Sequence, residues 1–172
     1  MVLSKSELMG RLKHEVRVLL HLASKAEPAM IDYRPAPGQR SLLELLQYLS
    51  IFAPIHLRTI HAGVFEMDAW RSAWGTHEAA AKQRSLQESI DAIAAQTALF
   101  AELVEPLTDD DLRAEMEMFG SKGTRGSWLL WMVLCHYSAY RMQLFLYLKA
   151  CGLQDLGTLD LWAGIDSKPP MP

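Results

Sequence analysis

Apolar residues recur at spacings of three and four along four long stretches of the chain, and three of these stretches open on the same chemical device. Ser4-x-x-Glu7, Ser41-x-x-Glu44 and Ser85-x-x-Glu88 each fit a capping box. In that motif the serine accepts from an orphan amide and the glutamate reaches back to the serine's own N–H. Behind the first box, Leu8, Leu12, Val16, Leu19 and Ala23 form one stripe that stops before Pro28. Behind the third, Leu86, Ile90, Ile93, Thr97, Phe100 and Val104 repeat it up to Pro106. The second stretch runs from Leu42 to Ala62 with Gly63 as its C-terminal residue. Pro54 inside it removes one backbone bond to Ser50 and predicts a kink. The fourth, Ser127 to Ala150, is apolar on nearly all sides and ends at Gly152, the pattern of a helix at the centre of a bundle. The expectation is an all-α four-helix bundle with helices at about 4–26, 41–63, 85–105 and 127–151. The bundle domain spans 1–152, and the tail, 153–172, lies on the bundle or frays.

The connections differ in character. Glu27 to Arg40 contains Pro28, Pro35, Pro37 and Gly38 and predicts an extended crossing. Trp70 and Trp74, one turn apart, predict a short packed helix within Val64–Arg84, and Thr108-Asp-Asp-Asp opens another brief helical turn. Glu115-Met-Glu-Met-Phe119 alternates polar and apolar residues, with Gly120-Ser-Lys-Gly-Thr124 read as the turn of a short hairpin before the last helix.

Composition narrows the class without supplying an activity. The chain of 172 residues is half hydrophobic and 22% charged, which suits one folded domain and excludes a solvating tail. A net charge of −3 with no Lys/Arg run gives no electrostatic footprint for nucleic acid. Cys135 and Cys151 stand 16 residues apart on one expected helix. That is about 24 Å, too far for a disulfide, so two free thiols predict a reducing compartment and a cytoplasmic location. Met1 to Gly10 has no apolar core of a leader. Trp128 to Leu148 is apolar, but His136, Arg141 and Gln143 near its middle would be costly in lipid, so no membrane span is expected.

At about 100° per residue, the inward stripe of the fourth helix holds Leu129, Met132, Val133, His136, Tyr140, Gln143 and Tyr147. The matching stripe of the second holds Glu44, Tyr48, Phe52, Ile55 and Thr59. Two inward polar stripes on two helices are the minimum for a site in a bundle core. A single inward histidine with two tyrosines is equally a satisfied core network.

The run from Arg34 through Pro35, Ala36, Pro37, Gly38, Gln39, Arg40 and Ser41 to Leu49 resembles the opening of the second helix in DinB-like (DinB/YfiT) proteins. Leu134-Cys-His-Tyr-Ser-Ala-Tyr-Arg-Met-Gln-Leu144, with Gly152 beyond it, is similar to their fourth helix, whose motif is His-x-x-x-His-Arg-x-Gln. The resemblance covers residues 8 to 152 and implies a metal site of three histidines, falling here on Tyr48, His136 and Tyr140. His136 alone retains a ligand type suited to zinc or nickel, and a tyrosine must lose a proton at a pKa near 10 before it ligates. The expectation is therefore a DinB-like protein that has lost its metal. It keeps an interior pocket of Tyr48, His136, Tyr140, Gln143 and Glu44 for a small ligand, or acts as an accessory protein. The alternative is a divalent-metal-dependent thiol S-transferase, isomerase or hydrolase, in which a metal activates a thiol or water.

Other candidates carry less. Glu44 is explained as a capping carboxylate, His56 follows the Pro54 kink in an uncertain direction, and both stand as possible substitute ligands. His14 and His21 are expected on the solvated face of helix one, while His61 and His77 are assigned no role. Opposite the His136 stripe, Trp131, Leu134, Ser138, Arg141, Phe145 and Lys149 form a strip too apolar to stand in water. It predicts a cover from Val64–Arg84, from the tail with Leu159, Leu161 and Trp162, or from a second copy. The resemblance also implies a homodimer.

Overall fold

The computed structural model of the chain describes residues 3–167. Helix α1 (Lys5–Ala23) packs against α5 (Leu86–Ala94) and α6 (Gln96–Leu103), while α2 (Leu42–Leu49) packs against α5 and α3 (Phe52–Ala62) against α6. The last long helix is built from α8 (Arg125–Leu129), a π-helical turn (Leu130–Leu134) and α9 (Cys135–Ala150). These four long elements are the expected bundle, and no other sheet than a two-stranded hairpin occurs among the described residues. Between them lie α4 (Met67–Ala81), α7 (Asp109–Arg113) and the hairpin of β1 (Glu115–Met118) and β2 (Ser121–Thr124). All three serine–glutamate capping boxes are formed. Leu12, Leu19 and Leu22 of α1 meet Leu45, Leu46 and Phe52, all fully buried, in one core.

One expected helix ends early and two are broken, each for a local reason. Helix one stops at Ala23, where Ser24 donates its N–H to Leu20. The second long helix breaks at Ser50–Ile51, where Pro54 has no N–H for Ser50 and the change of direction is a full break between α2 and α3. Buried Gln96, first residue of α6, donates Nε2 to the Leu49 carbonyl at 2.9 Å and accepts from the Tyr137 hydroxyl. It ties three helices through one satisfied side chain. The third helix breaks at Ala95, immediately before this clip.

The π turn in the fourth helix has the largest consequence. One more residue per turn rotates everything beyond it relative to a uniform helix. The buried stripe of α9 is Tyr137, Arg141, Leu144 and Leu148, each one residue later than the expected His136, Tyr140, Gln143 and Tyr147. Tyr147 is nonetheless buried as well, while the other three flank the core half-buried.

The hairpin turn is Phe119–Gly120, not Gly120–Thr124, and Ser121–Thr124 is its second strand. Both turn residues have positive φ, 53° and 75°, the backbone that matches the twist of a two-residue hairpin. After α9 the chain turns back and α10 (Thr158–Trp162) packs on α1 and α9. The last part of the expected tail, 168–172, lies outside the described residues.

His14 and His21 are not left to solvent, because α10 reaches them. His14 Nε2 lies 2.8 Å from the Trp162 carbonyl, and His21 Nε2 2.8 Å from Asp160. Burial would raise the Asp160 carboxyl, but the Gly157 and Ser167 amides and His21 outweigh it and hold it well below the ordinary range.

The expected strip on the fourth helix is also corrected. Arg141 is buried to 2% exposure and paired with Glu15, and its guanidinium lies 4.7 Å from the Trp162 ring. The tail supplies that part of the cover. The face left in water is Trp131, Cys135, Ala139, Met142, Leu146 and Ala150, which beyond Trp131 is the expected strip displaced by one residue.

Candidate functional site

Tyr48, Phe52 and His56 project from α2 and α3 at intervals of four residues, across the Ser50–Ile51 break. His136 and Tyr140 face them from α9. The Tyr48 and Tyr140 rings lie 4.9 Å apart between centroids and His136 is 6.0 Å from Tyr140. Phe52 stacks on both Tyr48 and His136, at 5.8 and 5.7 Å. His56 is only 2% exposed and its ring is 6.1 Å from that of His136. The three positions singled out by the motif are thus brought together around Tyr140.

The electrostatics keep Tyr48 and His56 neutral. The Tyr48 phenol is pushed well above its ordinary pKa by burial, and the Tyr140 hydroxyl adds to the effect. Burial, then the neighbouring His136, lowers His56 to about 4. His136 Nδ1 is 3.1 Å from the Trp131 carbonyl in the π turn. A carbonyl only accepts, so Nδ1 carries a proton, and the nitrogen left over for another partner is Nε2.

Glu44 and Gln143 take other partners. Glu44 accepts from Arg34 at 2.7 Å and from the Ser41 amide, and these bonds hold its carboxyl below the ordinary range. It stands at the mouth of a cleft of about 350 Å³ between α2 and α4, with Arg40, Gln47, Tyr48, Ile51 and Lys82. Gln143 Nε2 donates to the Tyr147 hydroxyl, which donates to the Arg40 carbonyl at 3.0 Å. It reaches the cluster only through Arg40, whose guanidinium lies 4.0 Å over the Tyr48 ring.

Helix α4 roofs the cluster. Trp74 approaches Tyr48 at 5.9 Å and His56 at 6.0 Å, and Trp70 stacks on His56 at 6.0 Å. The spacing of the two tryptophans signals a packed helix in the sequence, but not what it packs on. Phe52 is expected only as one of the inward stripe, and Arg40 carries no signal as a site residue.

No protein-family model matches the chain, and no curated protein matches it. Among solved structures, the chain is similar to a DinB-like protein, YjoA of Bacillus subtilis, with a TM-score of 0.67. The match covers 88% of this chain and 95% of that one at 20% identity. The fold is that of a DinB-like protein. The sequence resemblance and the three-dimensional likeness therefore agree on architecture.

The three-imidazole metal set implied by this resemblance does not fit the residues present. The three motif positions offer one imidazole and two phenols, and burial keeps the Tyr48 phenol protonated. His56 does not complete it with acidic or thiol donors. Among the described residues, the one group of three His, Cys, Asp or Glu side chains gathered closely enough to hold an ion is His21, Asp160 and Asp166. Lys25 already sits there, 2.5 Å from Asp166 and 3.5 Å from Asp160, and offsets one of the two negative charges. No helix among the described residues is long and apolar enough to cross a membrane.

Proposed function

We propose that this DinB-like bundle works without a catalytic metal and uses the cleft between α2 and α4, lined by Tyr48 with Arg40, Glu44 and Gln47, to bind a small ligand. Tyr140 backs Tyr48 from α9, and His136 lies next to Tyr140. The supporting observation is the contact of the Tyr48 and Tyr140 phenols at two of the three ligand positions. Protein expressed without a histidine tag in zinc- and nickel-supplemented medium is expected to carry less than about 0.1 ion per chain, since one neutral imidazole is a weak site. Stoichiometric metal that disappears in His136→Ala would overturn the reading. The double change Tyr48→His with Tyr140→His is expected to create zinc binding in the micromolar range or better, roughly 8 kcal/mol. Calorimetry that detects none would imply that the surrounding groups no longer orient a ligand set.

The protein is further proposed to act as a homodimer in a reducing compartment. Its two thiols are free, and the outward face of α9, with Trp131 57% and Leu146 55% exposed, carries no charge. A second copy laid on that face meets no like charge, and Ala139 between Cys135 and Met142 lets two helices approach closely. Light scattering at micromolar concentration is expected to give twice the one-chain mass, and Leu146→Glu to halve it. A wild-type monomer would sink the dimer, and an unaltered Leu146→Glu dimer would move the seam.

A further inference from the structure

Of the charged groups around the cleft between α2 and α4, one has no partner. Glu44 is taken by Arg34 at 2.7 Å and by the Ser41 amide at 2.8 Å. Glu78 and Lys82, one helical turn apart, face each other at 3.5 Å. Gln47 has spent its amide nitrogen on the Arg84 carbonyl at 2.8 Å. Arg40 is left. Among the described residues its guanidinium makes no ion pair and no hydrogen bond, and it rests 4.0 Å over the Tyr48 ring. A ring face attracts the cation without occupying a particular N–H, so the guanidinium's donors stay open to an acceptor in the cleft. The backbone that carries it is fixed from behind, because the Arg40 carbonyl accepts from the Tyr147 hydroxyl at 3.0 Å and Ser41, the next residue, caps α2.

The charges and the lining state what that acceptor is. With Glu44 offset by Arg34 and Glu78 by Lys82, the charge left over at the cleft is a single positive one. A guanidinium offers parallel N–H groups that match the two oxygens of a carboxylate. A phosphate dianion is disfavoured, since Glu44 and Glu78 also line the cleft and would repel its second charge. The rest of the ligand meets apolar groups. Ile51 and Ala81 line the same cleft and are each 2% exposed, so a body laid on them removes its own apolar surface from water. The volume of about 350 Å³ lies at the small end of the range for small-molecule sites.

We infer that the cleft recognises a small monocarboxylate with an apolar body, its carboxylate held by Arg40 and its body lying against Ile51 and Ala81. This inference rests on the ligand-cleft reading above and names the class of ligand for it.

The test titrates the full-length protein with benzoate and with benzamide, which has the same shape and no charge, following the Ile51 and Ala81 methyl signals by NMR. Benzoate is expected to shift both signals and, in low salt, to bind about tenfold more tightly than benzamide. Arg40 is exposed, so that preference is expected to shrink in about 0.5 M salt. Arg40→Gln is expected to remove it while benzamide binding and the helical circular dichroism stay as in wild type. Equal binding of benzoate and benzamide to wild type would leave the cleft standing and overturn the carboxylate site. So would a preference that survives in Arg40→Gln, or inorganic phosphate that displaces benzoate at lower concentration than benzoate itself needs. Binding of neither probe would overturn both the cleft reading and this one.

Discussion

Arg141→Met is expected to lose about 3–5 kcal/mol of folding stability, the usual consequence of removing one partner of a buried ion pair. Arg141 is 2% exposed and its NH1 donates to Glu15 Oε2 at 2.8 Å; Ser138 donates to the other oxygen. Methionine fills much of the arginine's volume, so the loss comes from the Glu15 carboxylate left in the core between α1 and α9 rather than from a cavity. The double variant Glu15→Leu with Arg141→Met is accordingly expected to lie within about 1 kcal/mol of wild type, because it buries apolar groups of similar size and no charge. Urea unfolding followed by circular dichroism measures both. A single-variant loss under about 1 kcal/mol would show that the carboxylate escapes to solvent and that this pair does not seat α9.

The second large effect is a pH dependence centred on His56. Burial and then His136 lower its pKa to about 4 in the folded protein, from 6.5 in an unfolded chain. Between those values the unfolded chain takes up a proton and the folded one does not. Stability from this group is therefore complete above pH 6.5 and falls as the pH drops toward 4, by about 3 kcal/mol in all at 1.36 kcal/mol per unit. The group facing it from α9 is His136, and α4 faces it with Trp70 and Trp74, which do not titrate in this range. Capping carboxylates such as Glu44 contribute their own losses at lower pH, so the informative quantity is the difference between wild type and His56→Phe. That difference is expected to shrink by about 3 kcal/mol between pH 7 and pH 4. A difference constant across the window would mean that His56 is hydrated in the folded state.

Both effects sit on residues whose placement a uniform helix misassigns, and this separates what was legible from what was not. The four long helices could be read from local chemistry. A serine that caps, a glutamate three residues on, an apolar stripe at three and four, and a proline that cannot donate all act within a turn of their own position. The existence of the hairpin, the free spacing of Cys135 and Cys151 and a disturbance at Pro54, expected as a kink and found as a full break, belong to the same class. The gathering of Tyr48, Tyr140 and His136 was legible from the shared inward phase of two stripes and from the motif that marked them, and the clip through Gln96 carried no signal.

Sequence by itself thus determined the four long helical elements, the starts of the three that open on capping boxes, the presence of the hairpin and the chemical types available to the site. Tertiary structure decided which side of each helix faces inward and what roofs the cluster. The physical reason is the π turn at Leu130–Leu134. One added residue leaves local propensity almost unchanged, yet it moves Tyr137 and Arg141 into the core, puts His136 and Tyr140 on its flank and turns Cys135, Met142 and Leu146 outward. Whether such a turn forms depends on how Trp128, Met132 and Tyr137 seat against other helices. The same holds for α4, whose two tryptophans acquire a meaning only once Tyr48 and His56 lie beneath them.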